Sequence, residues 1–556
     1  MNSTKKPTRW NLERLYQEEG ITSFINHLDF LSKRLDKLEK NNGHFDENGT
    51  EEQYTELNII GDIEKAESYY YCLTTEEVDP SILTSINLTI TALKLKMRSL
   101  LDLKIEMMKS KELHTASRLT IQALKGYEDI YNQVKNNLRV RVNYEGEERN
   151  LTFTNANYIA MTHSDQKTRE KVFNALNNTL EAHSNIFSTI YNQMIGLRLN
   201  LNKAEGKNNY LDESFIFNGL SHNIIQTMWN AVDHYLPELN RYIEAKANEI
   251  NKGVGISWYQ LMSSSQEIAY KIDFFKAVDV LTAALGKIDS KMGEFVKNAV
   301  ENGWVDAEKR STKQIGGFCV PFIREGESRI SLNYDETFNS ARILAHELGH
   351  AWHYYQIKES PFAGFLEDRL EMTIAETASI FFESSFIDSI IQEIKIPLLK
   401  KALLGWKIER SLNYLMNIRG AYLFEKQVYE LRLQGPINPS QLEGVSIKSQ
   451  STAYGEALTQ YEPFVWIKYG QFFQTEVPFY NYPYSFGFLF SNGLLELSKK
   501  EGDRFSQSFS DFLSMTGSIS AEKLVKEYFK IDLAEPEFWK QSVKRIVNDV
   551  DLYLKL

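Results

Sequence analysis

The sequence predicts a mainly α-helical protein with a small β-sheet beside one chemically loaded helix. Three observations carry that expectation. The twelve prolines leave the stretch between Pro80 and Pro237 without a helix breaker. Apolar residues recur at three- and four-residue steps through long windows. Segments with strand character are few, short and bounded by glycine.

The elements follow in chain order. In Ile21–Leu38 the residues Phe24, Leu28, Leu31 and Leu35 form one apolar stripe, the mark of a helix that buries one face. The polar run Asn41–Glu52 reads as the loop after it. Ile82–Met108 reads as a second helix, with Leu93, Leu95, Met97, Leu100, Leu101 and Leu103 as its apolar positions. Leu138–Val142 and Leu151–Phe153 flank Glu145-Gly146-Glu147 and predict a hairpin. A second β pair, Phe318–Ile323 with Arg329–Asn333, opens on Gly316-Gly317 and turns around Glu325-Gly326. No internal repeat or low-complexity tract stands out. We divide the chain into an N-terminal helical region (1–115), a middle region with the hairpin (116–200) and a third region (201–556).

Composition narrows the function classes. With 556 residues, 42% hydrophobic and 25% charged, the chain has the make-up of a folded globular protein. Its net charge of −11 argues against nucleic acid as the main partner, because phosphate binding needs a basic surface. Cys72 and Cys319 are the only cysteines, so a CxxC metal or redox site is excluded, and lone thiols fit a reducing compartment. The N-terminus MNSTKKPTRWNLERL has no apolar core of a signal peptide. No apolar run reaches the roughly 18 residues of a membrane span. The expectation is a cytoplasmic protein with no membrane partner.

One segment carries chemistry. Ala341–Tyr355 reads ARILAHELGHAWHYY and contains His346-Glu347-Leu348-Gly349-His350. On a helix, residues four apart share a face, so both imidazoles can reach one ion. Glu347 projects about 100° further round, within reach of a water on that ion. Two histidines and a carboxylate base are the donor set of zinc hydrolases. Asn339 or Ser340 can cap this helix. His353 lies on the same face, and we expect it to support a ligand rather than to be one. The extended metzincin pattern would need glycine at 353 and histidine at 356. The chain has His353 and Gln356, which excludes that class.

A catalytic zinc needs a third protein ligand. No histidine follows His353, so a carboxylate is the natural choice. Ser360-Pro361 breaks the first helix, and a second, LEMTIAETASIFFESSF, runs from Leu370 to Phe386 with Glu371, Glu376 and Glu383. Glu376 leads, because small Ala375 and Ala378 beside it permit close helix approach. Glu371 and Glu383 stay open on this reasoning.

The motifs GGFCVPF (316–322), HELGHAWH (346–353), AETAS (375–379) and PFYNYPYSFGFLF (478–490) together resemble the oligoendopeptidase F family of thimet-oligopeptidase-like zinc metallopeptidases. The resemblance implies a large helical body around a deep channel that admits short unfolded peptides. It implies one zinc per chain on His346, His350 and Glu376, with Glu347 as general base. It also implies that a tyrosine of the PFYNYPY block steadies the developing oxyanion, Tyr482 first and Tyr480 second. In one place the chain departs from the family. Related sequences carry a histidine in an HFY-like segment after a tryptophan. Here Trp466 is followed by Gln471-Phe472-Phe473, so Gln471 stands at the histidine position. An amide donates a hydrogen bond but carries no positive charge. Gly317, Phe318 and Cys319 are candidate substrate contacts, because a strand beside the zinc helix can pair with an extended peptide. The leading function is a zinc endopeptidase acting on short oligopeptides. The alternatives are a catalytically attenuated peptide-binding relative, suggested by Gln471, and a zinc exopeptidase.

Overall fold

The computed structural model describes residues 8–16, 20–40, 50–106, 111–263, 268, 270–358 and 370–556. The expected loop at 41–52 falls largely outside them, as does the Ser360-Pro361 break. The chain forms two compact units. One comprises Met1–Lys109, Ala269–Glu393 and Leu494–Asp532; the other comprises Ser110–Ile268, Ile394–Gly493 and Leu533–Leu556. Helices run unbroken through the boundaries expected near 115 and 200, over Lys111–Asn137 and Gln166–Ala204. Among the described residues no helix is long and apolar enough to cross a membrane.

The first unit opens with α1 (Ile21–Lys40), α2 (Thr50–Leu73) and α3 (Pro80–Glu106). Phe24, Leu28, Leu31 and Leu35 are all buried, as the stripe predicts. In α3 the buried positions are Ile86, Ile90, Leu93 and Met97, whereas Leu95 is 62% exposed. Leu95 sits two residues from both Leu93 and Met97, and at 100° per residue that places it on the opposite side of the helix.

The hairpin of the second unit pairs β1 (Arg139–Tyr144) with β2 (Glu147–Thr152), longer than expected at the turn end. Glu145 and Gly146 both adopt positive φ, 54° and 83°, the two-residue turn that suits the strand twist. Phe153, expected in the strand, instead starts a helix capped by Thr152.

The first unit's sheet has the order β3–β5–β4, with β3 at Val305–Asp306, β4 at Gly317–Phe322 and β5 at Glu327–Leu332. β4 and β5 are antiparallel and joined through Gly326 at φ 64°. Phe322 and Val320 bury into the cluster formed by α1, α2 and α3. β4 is therefore an edge strand fixed by its side chains, and among the described residues no strand pairs with its outer edge.

Candidate metal centre

The motif lies on a helix spanning Phe338–Ile357, the motif helix. Its cap is Thr337, not Asn339 or Ser340. The Thr337 Oγ1 accepts the Ser340 N–H at 3.2 Å, so Ser340 is already inside the first turn. The second acidic segment is not one helix from Leu370. A short turn, Met372–Ala375, ends at Glu376, and a crossing helix then runs over Thr377–Glu393. Glu376 thus sits at the junction, with φ −91° and ψ 1°.

The two helices meet closely at Gly349. A Cβ there would stand 2.5 Å from the Ala378 carbonyl oxygen and from Ser379 Cα, closer than any real contact. Glycine inside the motif therefore lets the crossing helix approach, and this brings Glu376 to the histidines. Glu376 Oε2 lies 3.3 Å from His346 Nε2 and 3.5 Å from His350 Nε2. One ligand atom from each of the three lies within 4.8 Å of the others, close enough to share one ion. Two imidazoles and a carboxylate fit zinc by donor type.

Glu371 and Glu383, the other two candidates, are placed elsewhere. Glu383 is buried behind His346, with Oε2 3.0 Å from His346 Nδ1 and Oε1 accepting from Arg342 Nη1 at 3.1 Å. A carboxylate on Nδ1 holds the proton there and leaves Nε2 to ligate. Ser379 Oγ donates to Glu376 Oε2 at 2.8 Å and orients it. Burial raises Glu371 to about 7, and it stands at the start of the short turn. His353 is buried, and its Nε2 pairs with Thr516 Oγ1 at 2.8 Å rather than with a ligand. Burial also lowers it to about 3, so it stays neutral.

Burial and close pairing shift every titratable group of the cluster. Burial works against a charge on His346, but Glu376 and Glu383 on its two nitrogens outweigh it and raise the imidazole to about 10. Burial lowers His350 to about 4. Burial alone would raise Glu376, yet His350, His346 and Ser379 hold it well below the usual carboxylate range. Glu347 is buried, and that burial raises it to about 7.

β4 lies against this helix. A Cβ on Gly317 would meet Ile343 Cγ2 at 2.7 Å and Glu347 Oε1 at 3.3 Å, so the glycine lets the strand pass directly over Glu347. The outward backbone of β4 follows from the sheet. Ile330 N–H donates to Trp304 O at 2.9 Å, on the β3 side. Its partner across the ladder is Cys319, whose N–H and C=O must therefore face the open edge. Gly317 and Pro321 share that parity, and a proline facing outward costs the sheet no hydrogen bond. Phe318 turns the other way, toward Trp10 and Tyr71, with ring centroids at 6.3 and 6.5 Å. Burial and the charge of Glu347 push the Cys319 thiol well above its ordinary value.

The remaining predicted residues belong to the second unit. Tyr482 is 1% exposed, and its hydroxyl lies 3.3 Å from both Oγ and the carbonyl oxygen of Ser214. Tyr480 is half-buried and accepts from the Tyr484 hydroxyl at 2.8 Å, which leaves its own proton to donate elsewhere. Gln471 is half-buried in a short 3₁₀ turn, Gly470–Phe473. The loop carrying Tyr480 is held by a residue the sequence reading passed over. Buried Glu425 accepts the Phe479 N–H at 2.9 Å, where Phe479 has φ 58°.

A family model described as Peptidase family M3 matches residues 287–545, the span that contains the ligand cluster. An oligoendopeptidase F homolog of Borreliella burgdorferi is 22% identical over 93% of both chains. In sequence the chain is thus similar to M3 peptidases over the segment that carries the cluster, and to oligoendopeptidase F over most of its length. Another relative, the oligopeptidase PepF of Bacillus subtilis, is 20% identical over 73% of this chain, which spans 60% of that protein. Among solved structures, a putative peptidase from Chlamydophila abortus shares the fold with a TM-score of 0.82 over 100% of this chain and 99% of that one, at 16% identity. The oligoendopeptidase-F of Enterococcus faecium gives 0.62 over 98% and 96%, at 14% identity. The mainly helical architecture is shared with these solved peptidases.

Proposed function

We propose that this protein, similar to oligoendopeptidase F, is a zinc-dependent endopeptidase of short peptides, with one ion on His346, His350 and Glu376. The observation that carries the reading is the convergence of those three side chains with Glu347 one residue along the same helix, under Gly317. Zinc, when bound, supplies Lewis-acid polarisation of a water and of the scissile carbonyl. Glu347 takes the proton of the attacking water and delivers it to the leaving amine. Burial puts its carboxyl near neutrality, where both transfers are accessible. Arg342 and Glu383 keep His346 in one tautomer through the cycle. The outward N–H and C=O of Cys319, with those of Gly317, give an extended peptide a short ladder to pair with. Pairing through backbone imposes little side-chain selection and suits varied oligopeptides.

Of the two tyrosines, Tyr480 keeps a proton to donate, whereas the Tyr482 hydroxyl is spent on Ser214. The two free thiols fit a cytoplasmic setting. The test is cleavage of an internally quenched peptide library by wild type and Glu347→Gln, each with and without a chelator. Internal cuts lost in both controls support the reading. Release of single terminal residues would replace it with an exopeptidase.

A second reading has its own observation, Gln471 at the expected histidine position. A peptide-binding relative with weak turnover would bind zinc and peptide but cleave slowly. Recovery of rate in Gln471→His would favour it, and fast wild-type turnover would exclude it.

A further inference from the structure

Two hollows lie along the outer edge of β4. The first, about 300 Å³, is lined by Cys319 and Pro321, by Tyr71 of α2 and by Tyr354 of the motif helix. The second, about 270 Å³, is lined by Thr74, Thr312 and Gln314. Tyr71 and Val320 border both, so the Tyr71 ring divides one from the other.

The first hollow reaches the motif helix at Tyr354. Tyr354 follows His350 by four residues, and their rings stack with centroids 6.3 Å apart. It therefore begins one helical turn from a ligand. A peptide paired to the outward backbone of Cys319 repeats its side chains on one side every ~6.8 Å, twice the strand rise. One of them would then reach this hollow.

The lining decides which side chain fits. Its charges already have partners. Lys65 pairs with Glu325, Arg324 with Asp62 at 2.6 Å and Glu67 with Lys94 at 2.7 Å, while Glu64 is not free either. Lys65, Glu325, Arg324 and Glu67 are thus each engaged in an ion pair before any ionic side chain arrives. The larger part of the lining surface is apolar, from residues such as Tyr71, Val320, Pro321, Ile323 and Tyr354, and Tyr71 is 45% exposed although Tyr69 and Cys72 beside it are buried. Covering that ring with apolar substrate removes it from water.

We propose that this hollow is a substrate subsite for one large apolar or aromatic side chain, and that Tyr71 determines its specificity. The proposal rests on the peptidase reading for the origin of the peptide, but its test does not need turnover. Glu347→Gln protein, loaded with zinc, is titrated with fluorescent eight-residue peptides that carry Phe, Ala or Glu at each position in turn. The expected result is one position where Phe binds roughly tenfold tighter than Ala or Glu. Adding Tyr71→Ala should shrink that ratio toward one at that position alone, with zinc content unchanged. Ser68→Trp, which intrudes on the same hollow, should do likewise. Equal affinities at every position, or a Phe preference that survives Tyr71→Ala, overturns the subsite. Tyr71-dependent binding together with a wild type that cleaves nothing would instead count against the peptidase reading alone.

Discussion

Replacing Gly349 with alanine tests whether helix approach builds the metal centre. The new Cβ would lie 2.5 Å from the Ala378 carbonyl oxygen and 2.9 Å from its carbon. Both are backbone atoms and cannot rotate aside. An ordinary contact is about 3.5 Å, so the two helices must part by about 1 Å. Glu376 lies two residues before Ala378 and moves with it. Metal–ligand distances tolerate only about 0.2 Å. Zinc affinity should therefore fall at least tenfold, read by competition with a chromophoric chelator, and turnover should fall by about 10²-fold. Thermal stability is the weaker readout. Overpacking costs about 1–3 kcal/mol, while alanine in a helix interior returns about 1 kcal/mol. A Gly349→Ala protein with zinc affinity within twofold of wild type and normal turnover would refute the reasoning.

Other perturbations separate binding from chemistry. Gly317→Ala crowds Ile343 and Glu347 but no ligand, so kcat should drop about tenfold or more while zinc affinity holds; equal loss of both would contradict that separation. Glu383→Gln removes the carboxylate behind His346 and should weaken zinc about 10–100-fold without altering peptide affinity, measured by chelator competition and anisotropy. Burial raises Glu425 from an ordinary 4.5 to about 7. A raised carboxyl favours the folded state while protonated, so its contribution is complete below pH 4.5 and is lost as pH rises through 7. The stability of Glu425→Gln relative to wild type should therefore improve by roughly 3 kcal/mol between pH 4.5 and 8 in denaturant titrations, and a pH-independent difference would exclude the assignment.

Much of the site was legible because its signals are local. His346 and His350 are four apart on a helix, so their common face follows from helix geometry alone. Arg342 and Tyr354 continue that face by one turn in each direction, a pattern present in the sequence but carrying no chemical motif of its own. The stripe of α1 was readable for the same reason. Leu95 was misplaced because a leucine-rich window hides which leucines share a face, and only angle resolves it.

Other features depended on residues far apart in the chain. Glu371, Glu376 and Glu383 look alike as sequence. Their roles separate only when Gly349 admits the crossing helix and a turn ends at Glu376, which leaves Glu383 behind His346 and Glu371 apart from the ligands. The tyrosines divide the same way, since burial against Ser214 commits the Tyr482 hydroxyl and a neighbour's donation leaves that of Tyr480 available. The outward parity of Cys319 is set by a hydrogen bond from Ile330 to Trp304. The sequence by itself determined the helical class and the common helix of His346, Glu347 and His350, because helical period and residue chemistry act within a few residues. Only the tertiary structure decided which carboxylate meets both histidines, which one backs His346 and which strand edge lies open, because those depend on how closely two backbones can approach.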